Sequence, residues 1–317
     1  MKKTSKTTKL SGKPQIVFFG SGPVAAKSLR LLLEAFTIEA VITKPKPIHH
    51  RGSTPVLELS EKLKLKTFTP SNKKELSELF ASKPVTSRLG IVIDYGIIIA
   101  QDVIDYFPLG IVNSHFSLLP EWRGADPITF SILSGQQVTG VSLMLITAGL
   151  DEGPLLCQAP YLLPPDITTP ELTDILIEIS HASLVNILPM YISGEVTPRG
   201  QDVSTHPTFS RKLTKEDGTI DWHKSAKQIE REVRAFIEWP RNRTTIGGKD
   251  IIVTKAYSVP VNHSDTKPGD VEAVKEAGVL MVECGSGSLC IERLQPAGKN
   301  EMTAAAFLAG YGHLFDG

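Results

Sequence analysis

The sequence predicts an α/β chain in which an open, doubly wound and mostly parallel sheet is followed by a small C-terminal β-barrel. Three observations carry that reading. From Gln15 onward, short apolar runs ("QIVFF", "IEAVI", "LGIVIDY", "GIVN") are separated by helical stretches such as "AAKSLRLLLEAF"; strands that are apolar throughout belong to a parallel sheet covered on both faces. From about Thr219 the pattern changes to short β-like runs spaced by Gly and Asn/Asp turns, which suits a barrel of the OB type. The 317 residues also exceed the usual size of one domain.

Residues 1–13 carry Lys2, Lys3, Lys6, Lys9 and Lys13 with no acid and no apolar stretch. They read as a solvated, disordered tail rather than a signal peptide, an RNA-binding arm being the sharper alternative. Residues 14–195 form the α/β domain, closed by a helix over 170–193, "PELTDILIEISHASLVNILPMYIS", that is interrupted or ended near Pro189, since proline has no amide proton to give. Residues 196–217, rich in Gly, Pro, Ser, Thr and charge, read as a linker. Residues 218–317 open with a helix over "SAKQIEREVRAFI" and continue with the strands "IIVTKAYSV", "GDVEAV", "GVLMVEC" and "SLCIERLQP". The chain shows no internal repeat.

Composition narrows the classes. With 41% hydrophobic and 21% charged residues the chain is neither collagen-like nor wholly disordered, and no apolar run approaches the ~20 residues of a membrane helix. Lys plus Arg and Asp plus Glu are 34 each, so net charge points to neither a polyanion nor a membrane. The three cysteines, Cys157, Cys284 and Cys290, lack C-x-x-C spacing, which argues against a zinc site and a disulfide-built secreted domain and fits a reducing cytoplasm.

"GSGPVA", Gly20 to Ala25, lies between a strand and a helix and matches the dinucleotide fingerprint. That fingerprint also needs an acid at the end of the second strand. Here "AVITKPKP" offers Lys44 instead, and Pro23 removes an amide where phosphate would be received.

The run "NSHFSLLPEWRGADPI", residues 113–128, is more informative. In an open α/β sheet, ligands gather at the carboxyl ends of strands, and residues two apart on a strand share a face. Asn113 and His115 therefore converge on one spot, and Asp151, after the later apolar run "TGVSLMLITAGLDEGPLL", stands where a carboxylate could reach the imidazole. An amide donor, a proton carrier and a carboxylate to orient it make a device for acyl transfer. Spacing alone equally allows a structural histidine and a turn aspartate.

These strings, with the early "VFFGSGPVA" and the late "KLTKEDGTIDWHKSAKQIEREVRAF", resemble the formyltetrahydrofolate-dependent formyltransferases, and among them the methionyl-tRNA formyltransferases. The resemblance continues through "WPRNRTTI", "GDVEAV", "LQPAGK" and "MTAAAFL", so it covers nearly all of residues 15–310. It implies a Rossmann-like catalytic domain and a tRNA-binding OB-like domain. The implied reaction is transfer of formyl from 10-formyltetrahydrofolate to the α-amino group of initiator methionyl-tRNA, without a metal, by a cytoplasmic monomer. Carried over by residue, it makes Asn113, His115 and Asp151 catalytic. It lines the folate pocket with Asp94, Tyr95 and Gly96 and with Ser117, Leu118, Leu119 and Pro120. It also implies tRNA contacts from the loop residues Lys44, Lys46 and Arg51 and from Arg211, Lys212 and Lys215; for each of these a solvated loop is the plainer alternative. His49 and His50, adjacent at a loop tip, do not read as metal ligands.

The chain departs from the family pattern in four places. The loop from Thr43 to Val56 is shorter than usual and lacks a lysine run. "DEGP" stands at Asp151–Pro154, and Asp126 and Asp94 replace small residues. The two extra carboxylates are expected to raise the pKa of His115. Other readings keep the chemistry with another acceptor, an amino sugar, a ribonucleotide amine or water, or drop it for an RNA-binding protein. A serine hydrolase built on Ser117 is disfavoured because Ser117 lacks a G-x-S-x-G elbow.

Overall fold

The computed structural model describes residues 12–46, 52–202, 204, 206–261 and 266–315; nearly all of the basic tail, and Arg51, His49 and His50, lie outside them. The chain divides into two compact units: Met1–Gly124, Gly140–Tyr161 and Asp174–Phe209 form one, and Ala125–Thr139, Leu162–Thr173 and Ser210–Gly317 the other.

The first unit is built on a seven-stranded sheet, in chain order β1 (Gln15–Phe19), β2 (Thr37–Ile42), β3 (Thr67–Phe68), β4 (Gly90–Val92), β5 (Ile111–His115), β7 (Val138–Leu145) and β8 (Leu155–Leu162). The spatial order is β3-β2-β1-β4-β5-β7-β8. The strands β3 to β5 pair parallel, and β7 pairs antiparallel with β5. Ile16 to Phe19 are fully buried, as a central strand covered on both faces requires. The helices that follow these strands in the chain are α1 (Pro23–Ala35), α2 (Pro55–Leu63), α3 (Lys73–Ala81) and α4 (Gln101–Asp105), and α5 (Pro127–Ser134), which precedes β7, belongs to the second unit. Three of them start with proline at the first turn, where its missing N–H costs nothing. Asn72 caps α3 by accepting from the amides of Lys74 and Glu75, and Glu75 reaches back to the Ser71 amide, a reciprocal cap.

The helix α6 runs Thr169–Ile192 with Pro189 inside it, so it is neither interrupted nor ended there: proline in the last turn removes one donor, and the helix continues three residues further. At 24 residues α6 is also long and apolar enough, by length and composition, to cross a membrane, contrary to the reading of the apolar runs. Its buried residues Leu172, Leu176, Ser180, Leu184 and Leu188 recur every four positions, while Glu171, Asp174 and Glu178 are exposed, the pattern of a helix laid on a protein core.

The short strands β6 (Arg123–Gly124) and β9 (Phe209–Ser210) pair with each other. The second unit carries a six-stranded sheet: β10 (Asn242–Ile246), β11 (Lys249–Val259), β12 (Val271–Val274), β13 (Val279–Glu283), β14 (Ser288–Pro296) and β15 (Met302–Thr303), ordered β10-β11-β14-β13-β12 with β15 beside β14. The pairs are antiparallel. α7 (Ala226–Ala235) and α8 (Ala304–Tyr311) place Ile229, Val233 and Phe307 in a core with Val253, Ile291 and Leu294. This is the expected small β domain; the polar strand "NRTTI" and the helix "AAAFLAGY" complete it.

Candidate active site

The strand order reverses between β1 and β4, because β2 and β3 lie to one side and β5 to the other. At such a switch point the connections leave in opposite directions and open a crevice at the carboxyl ends. Two loops border it: Gly20–Ser21–Gly22 after β1, and Asp94–Tyr95–Gly96 beyond β4. They are joined, since the amides of Ser21 and Gly22 both donate to the Asp94 carbonyl, at 3.0 and 3.4 Å. Those donors are thus consumed, which removes the means by which "GSGPVA" could hold a pyrophosphate. A Cβ on Gly22 would lie 1.9 Å from Asp94 Oδ2, so glycine is there for close approach. Asp94 sits at φ 47° and is exposed. Tyr95 is buried with its hydroxyl unpartnered among the described residues, and burial pushes its pKa well above the usual phenol value. Over Gly96, the Lys44 Nζ lies 2.6 Å from where a Cβ would stand.

One strand further, β5 presents Asn113 and His115. The antiparallel β7 pairs Met144 with Asn113 and Ser142 with His115, and the turn between β7 and β8 brings back Asp151, at φ 47°. The three side chains meet: Asp151 Oδ1 is 3.5 Å from Asn113 Nδ2, and Asp151 Oδ2 is 3.7 Å from His115 Nδ1 and accepts from the Gly124 amide at 2.8 Å. His115 Nε2 stands 2.9 Å from the Trp122 carbonyl. A carbonyl only accepts, so Nε2 carries the proton, and Nδ1 is the atom that gains or loses one beside the carboxylate.

His115 is buried, and burial, its largest influence, lowers its pKa below the ordinary imidazole value; Asp151 and then the Trp122 carbonyl pull it back up. The expected rise from Asp94 and Asp126 does not occur. Neither is among the groups acting on His115, and loss of solvent outweighs the one carboxylate at its ring. Asp126 occupies the left-handed N-cap of α5, and Glu152 is exposed.

The Ser117–Pro120 wall is fixed by two residues that the sequence did not single out. Ser142 Oγ donates to the Ser117 carbonyl at 2.7 Å and accepts from the Leu119 amide at 3.0 Å. Gln158 Nε2 donates to the Leu119 carbonyl at 2.9 Å. Ser117 is fully buried and its hydroxyl donates to the Glu121 carbonyl, so it offers no nucleophile.

Residues expected to line folate and to act in catalysis thus gather at neighbouring strand ends of one unit. Of the cationic residues, Lys44 and Lys46 are exposed after β2 in the first unit, Lys44 reaching over Gly96, and Lys212 and Lys215 are exposed in the second unit. Arg211 is spoken for, its guanidinium making a two-pronged pair with Asp217 that raises its own pKa. Among the described residues no group of three or more His, Cys, Asp or Glu is placed to hold a metal.

Other residues that escaped the sequence reading are Trp122, Arg123, Gly124, Gln201 and Thr208. Gln201 Nε2 donates to the carbonyls of Asp151 and Gly153, and Thr208 Oγ1 accepts from the Trp122 amide. Polar residues in a stretch without periodicity give no signal of what they will touch.

Comparison with known proteins places the chain in a family. Residues 15–188 match the formyl transferase family and residues 212–312 the formyl transferase C-terminal domain. The chain is 37% identical over 302 residues to methionyl-tRNA formyltransferase of Roseiflexus castenholzii, covering 93% of this chain and 96% of the relative. It is 36% identical over 303 residues to that of Myxococcus xanthus, covering 94% and 96%. Among solved structures, the N-formyltransferase from Helicobacter canadensis in complex with folinic acid and dTDP-3-aminofucose is similar at TM-score 0.66, with 18% identity over 88% of this chain and 99% of that one. HypX from Aquifex aeolicus in complex with tetrahydrofolic acid is similar at TM-score 0.59 and 18% identity; the match covers 96% of this chain and about half, 48%, of HypX.

Proposed function

The chain belongs to the formyl transferase family, among its methionyl-tRNA formyltransferases, and from that premise we propose that it transfers formyl from 10-formyltetrahydrofolate to the α-amino group of initiator methionyl-tRNA. The observation that carries this is the likeness to the methionyl-tRNA enzymes across both the catalytic and the C-terminal domain.

The neutral amine attacks the formyl carbon, the carbonyl becomes an oxyanion, and the bond from that carbon to N10 breaks as N10 takes up a proton and the amine loses one. Asn113 Nδ2 has a second hydrogen beyond the one facing Asp151, and with a protonated His115 it stabilises the oxyanion. Asp151 favours the imidazolium and relays a proton. The Asp94–Gly96 turn and the Ser117–Pro120 wall receive the folate. Lys44, Lys46, Arg51, Lys212 and Lys215 meet tRNA phosphates, whose charge makes binding salt-dependent; Arg211, tied to Asp217, shapes its loop. The protein acts as a monomer in the cytoplasm, where its three free cysteines stay reduced.

The test is formyl transfer with methionyl initiator tRNA, methionyl elongator tRNA and no acceptor, for wild type and Asn113→Ala. Transfer confined to initiator tRNA and falling ~10²–10³-fold in the variant supports the proposal. Equal folate turnover in all three wild-type reactions removes tRNA as the acceptor.

A further inference from the structure

We infer that Gln201, assisted by Thr208, is a positioning residue for formyl transfer, holding the Asp151–His115 pair from a segment that composition marks as a linker. The inference rests on the reading of Asn113, His115 and Asp151 as the catalytic trio.

Asp151 occupies a left-handed conformation, φ 47°, that a non-glycine residue keeps only when its surroundings hold it. Gln201 does the holding. Its amide nitrogen uses both hydrogens on the turn, donating to the Asp151 carbonyl at 2.8 Å and the Gly153 carbonyl at 3.0 Å. Its oxygen accepts from Arg123 Nη2 at 2.7 Å. The neighbour of Arg123, Gly124, gives its amide to the Asp151 carboxylate. Gln201 thus ties the turn that carries the carboxylate to the strand that receives it.

The segment is itself anchored. Arg199 and Leu155 exchange backbone hydrogen bonds of 2.7 and 2.9 Å. Thr208 accepts from the Trp122 amide through Oγ1, at 2.8 Å, and from the Arg123 amide through its carbonyl, at 2.9 Å. The Trp122 carbonyl in turn accepts a hydrogen bond from His115 Nε2. One end of the strap therefore sets the carboxylate and the other sets the peptide that orients the ring. A segment serving only as a tether has no need to aim an amide at the Asp151 turn.

The experiment uses the full chain with Gln201→Met, which keeps the length and loses the donors. The expected kcat for formyl transfer falls about 10- to 10²-fold, with KM for 10-formyltetrahydrofolate near wild type and the protein still folded at the assay temperature. The His115 ring, followed by NMR, titrates at lower pH than in wild type, because the carboxylate that raises its pKa is no longer held in place. In an Asp151→Asn background Gln201→Met adds no further loss, since it acts through the residue already removed. Wild-type kcat, an unmoved His115 titration, or a full-sized loss persisting in the Asp151→Asn background overturns the inference. An Asp151→Asn enzyme with wild-type kcat overturns the trio, and this inference with it; an inactive Asp151→Asn beside an unimpaired Gln201→Met overturns this inference alone. If Gln201→Met does not fold, Gln201→Asn, which keeps the amide but is too short to reach both carbonyls, takes its place in the same cycle.

Discussion

Replacing Asp151 by Asn separates the charge of the site from its shape. The amide has the carboxylate's outline, and its oxygen can still accept from the Gly124 amide, 2.8 Å away, so the turn stays in place. What disappears is a negative charge 3.7 Å from His115 Nδ1, between side chains only 16% and 7% exposed. At an effective dielectric constant near 20, that charge favours the imidazolium by about 4 kcal/mol, equivalent to roughly 10³-fold in rate if the imidazolium is the reacting form. The new amide also has hydrogens to offer the Nδ1 lone pair, which favours the neutral ring. Burial already lowers the pKa of His115, with Asp151 and the Trp122 carbonyl opposing it. Without Asp151 the pKa falls further, so the limb of the pH–rate profile on which the imidazolium is lost moves to lower pH. In single-turnover transfer to methionyl initiator tRNA, kcat is expected to drop by about 10²–10³ with KM for the folate little changed. A loss below about tenfold, or a limb that stays where it was, would refute the assignment of Asp151 as the group that charges His115.

Ser142→Ala leaves the buried Leu119 amide without its acceptor and the Ser117 carbonyl without its donor; denaturant unfolding is expected to show a loss of about 1–3 kcal/mol, and KM for the folate should rise while kcat holds. Gly153→Ala would place a Cβ 1.8 Å from the Leu145 carbonyl oxygen, where only backbone movement relieves the contact; the shift displaces the Asp151 turn, so kcat should fall by on the order of 10²-fold, and an unchanged kcat would show that the turn tolerates movement. Glu39 tests the sheet rather than the site. Burial acts to raise its pKa, but hydrogen bonds from Ser87 and Thr86, with a further one from Gln15, outweigh it and bring the carboxyl to about 2. Because the folded value lies below the unfolded one, the stabilisation is complete above the ordinary glutamate pKa and is lost as pH falls through about 2. Glu39→Gln should therefore cost about 1–2 kcal/mol near neutral pH after solvent screening, and its gap to wild type should close in strong acid; a gap independent of pH would contradict this.

What could be read from the sequence was what local chemistry dictates. The apolar strands of the parallel sheet announced themselves because a strand buried on both faces reads as a near-continuous apolar run. The convergence of Asn113 and His115 followed from the two-residue repeat of a strand. The polar strand Asn242–Ile246 escaped because its sequence carries no apolar run. Pro189 misled because proline's cost depends on where in a helix it falls, and in the last turn it is small. The pKa of His115 was expected to rise from a count of nearby carboxylates, whereas burial, which a sequence does not display, decides its direction. Gln201 and Thr208 were invisible for a related reason: their partners lie about fifty and eighty-six residues earlier, and nothing in a glutamine or a threonine names a distant carbonyl or amide.

The strap also bears on how this protein is made and how it can be divided. A ribosome releases Asn113, His115 and Asp151 well before residues 199–208, so the nascent chain holds the proposed catalytic side chains for some time without Gln201 and Thr208. Cutting the chain at residue 195, where composition places the end of the catalytic domain, would make that interim state permanent. On the proposed reading such a fragment keeps Asn113, His115 and Asp151 but discards Gln201 and Thr208, so it is expected to transfer formyl more slowly than a fragment that ends beyond Thr208.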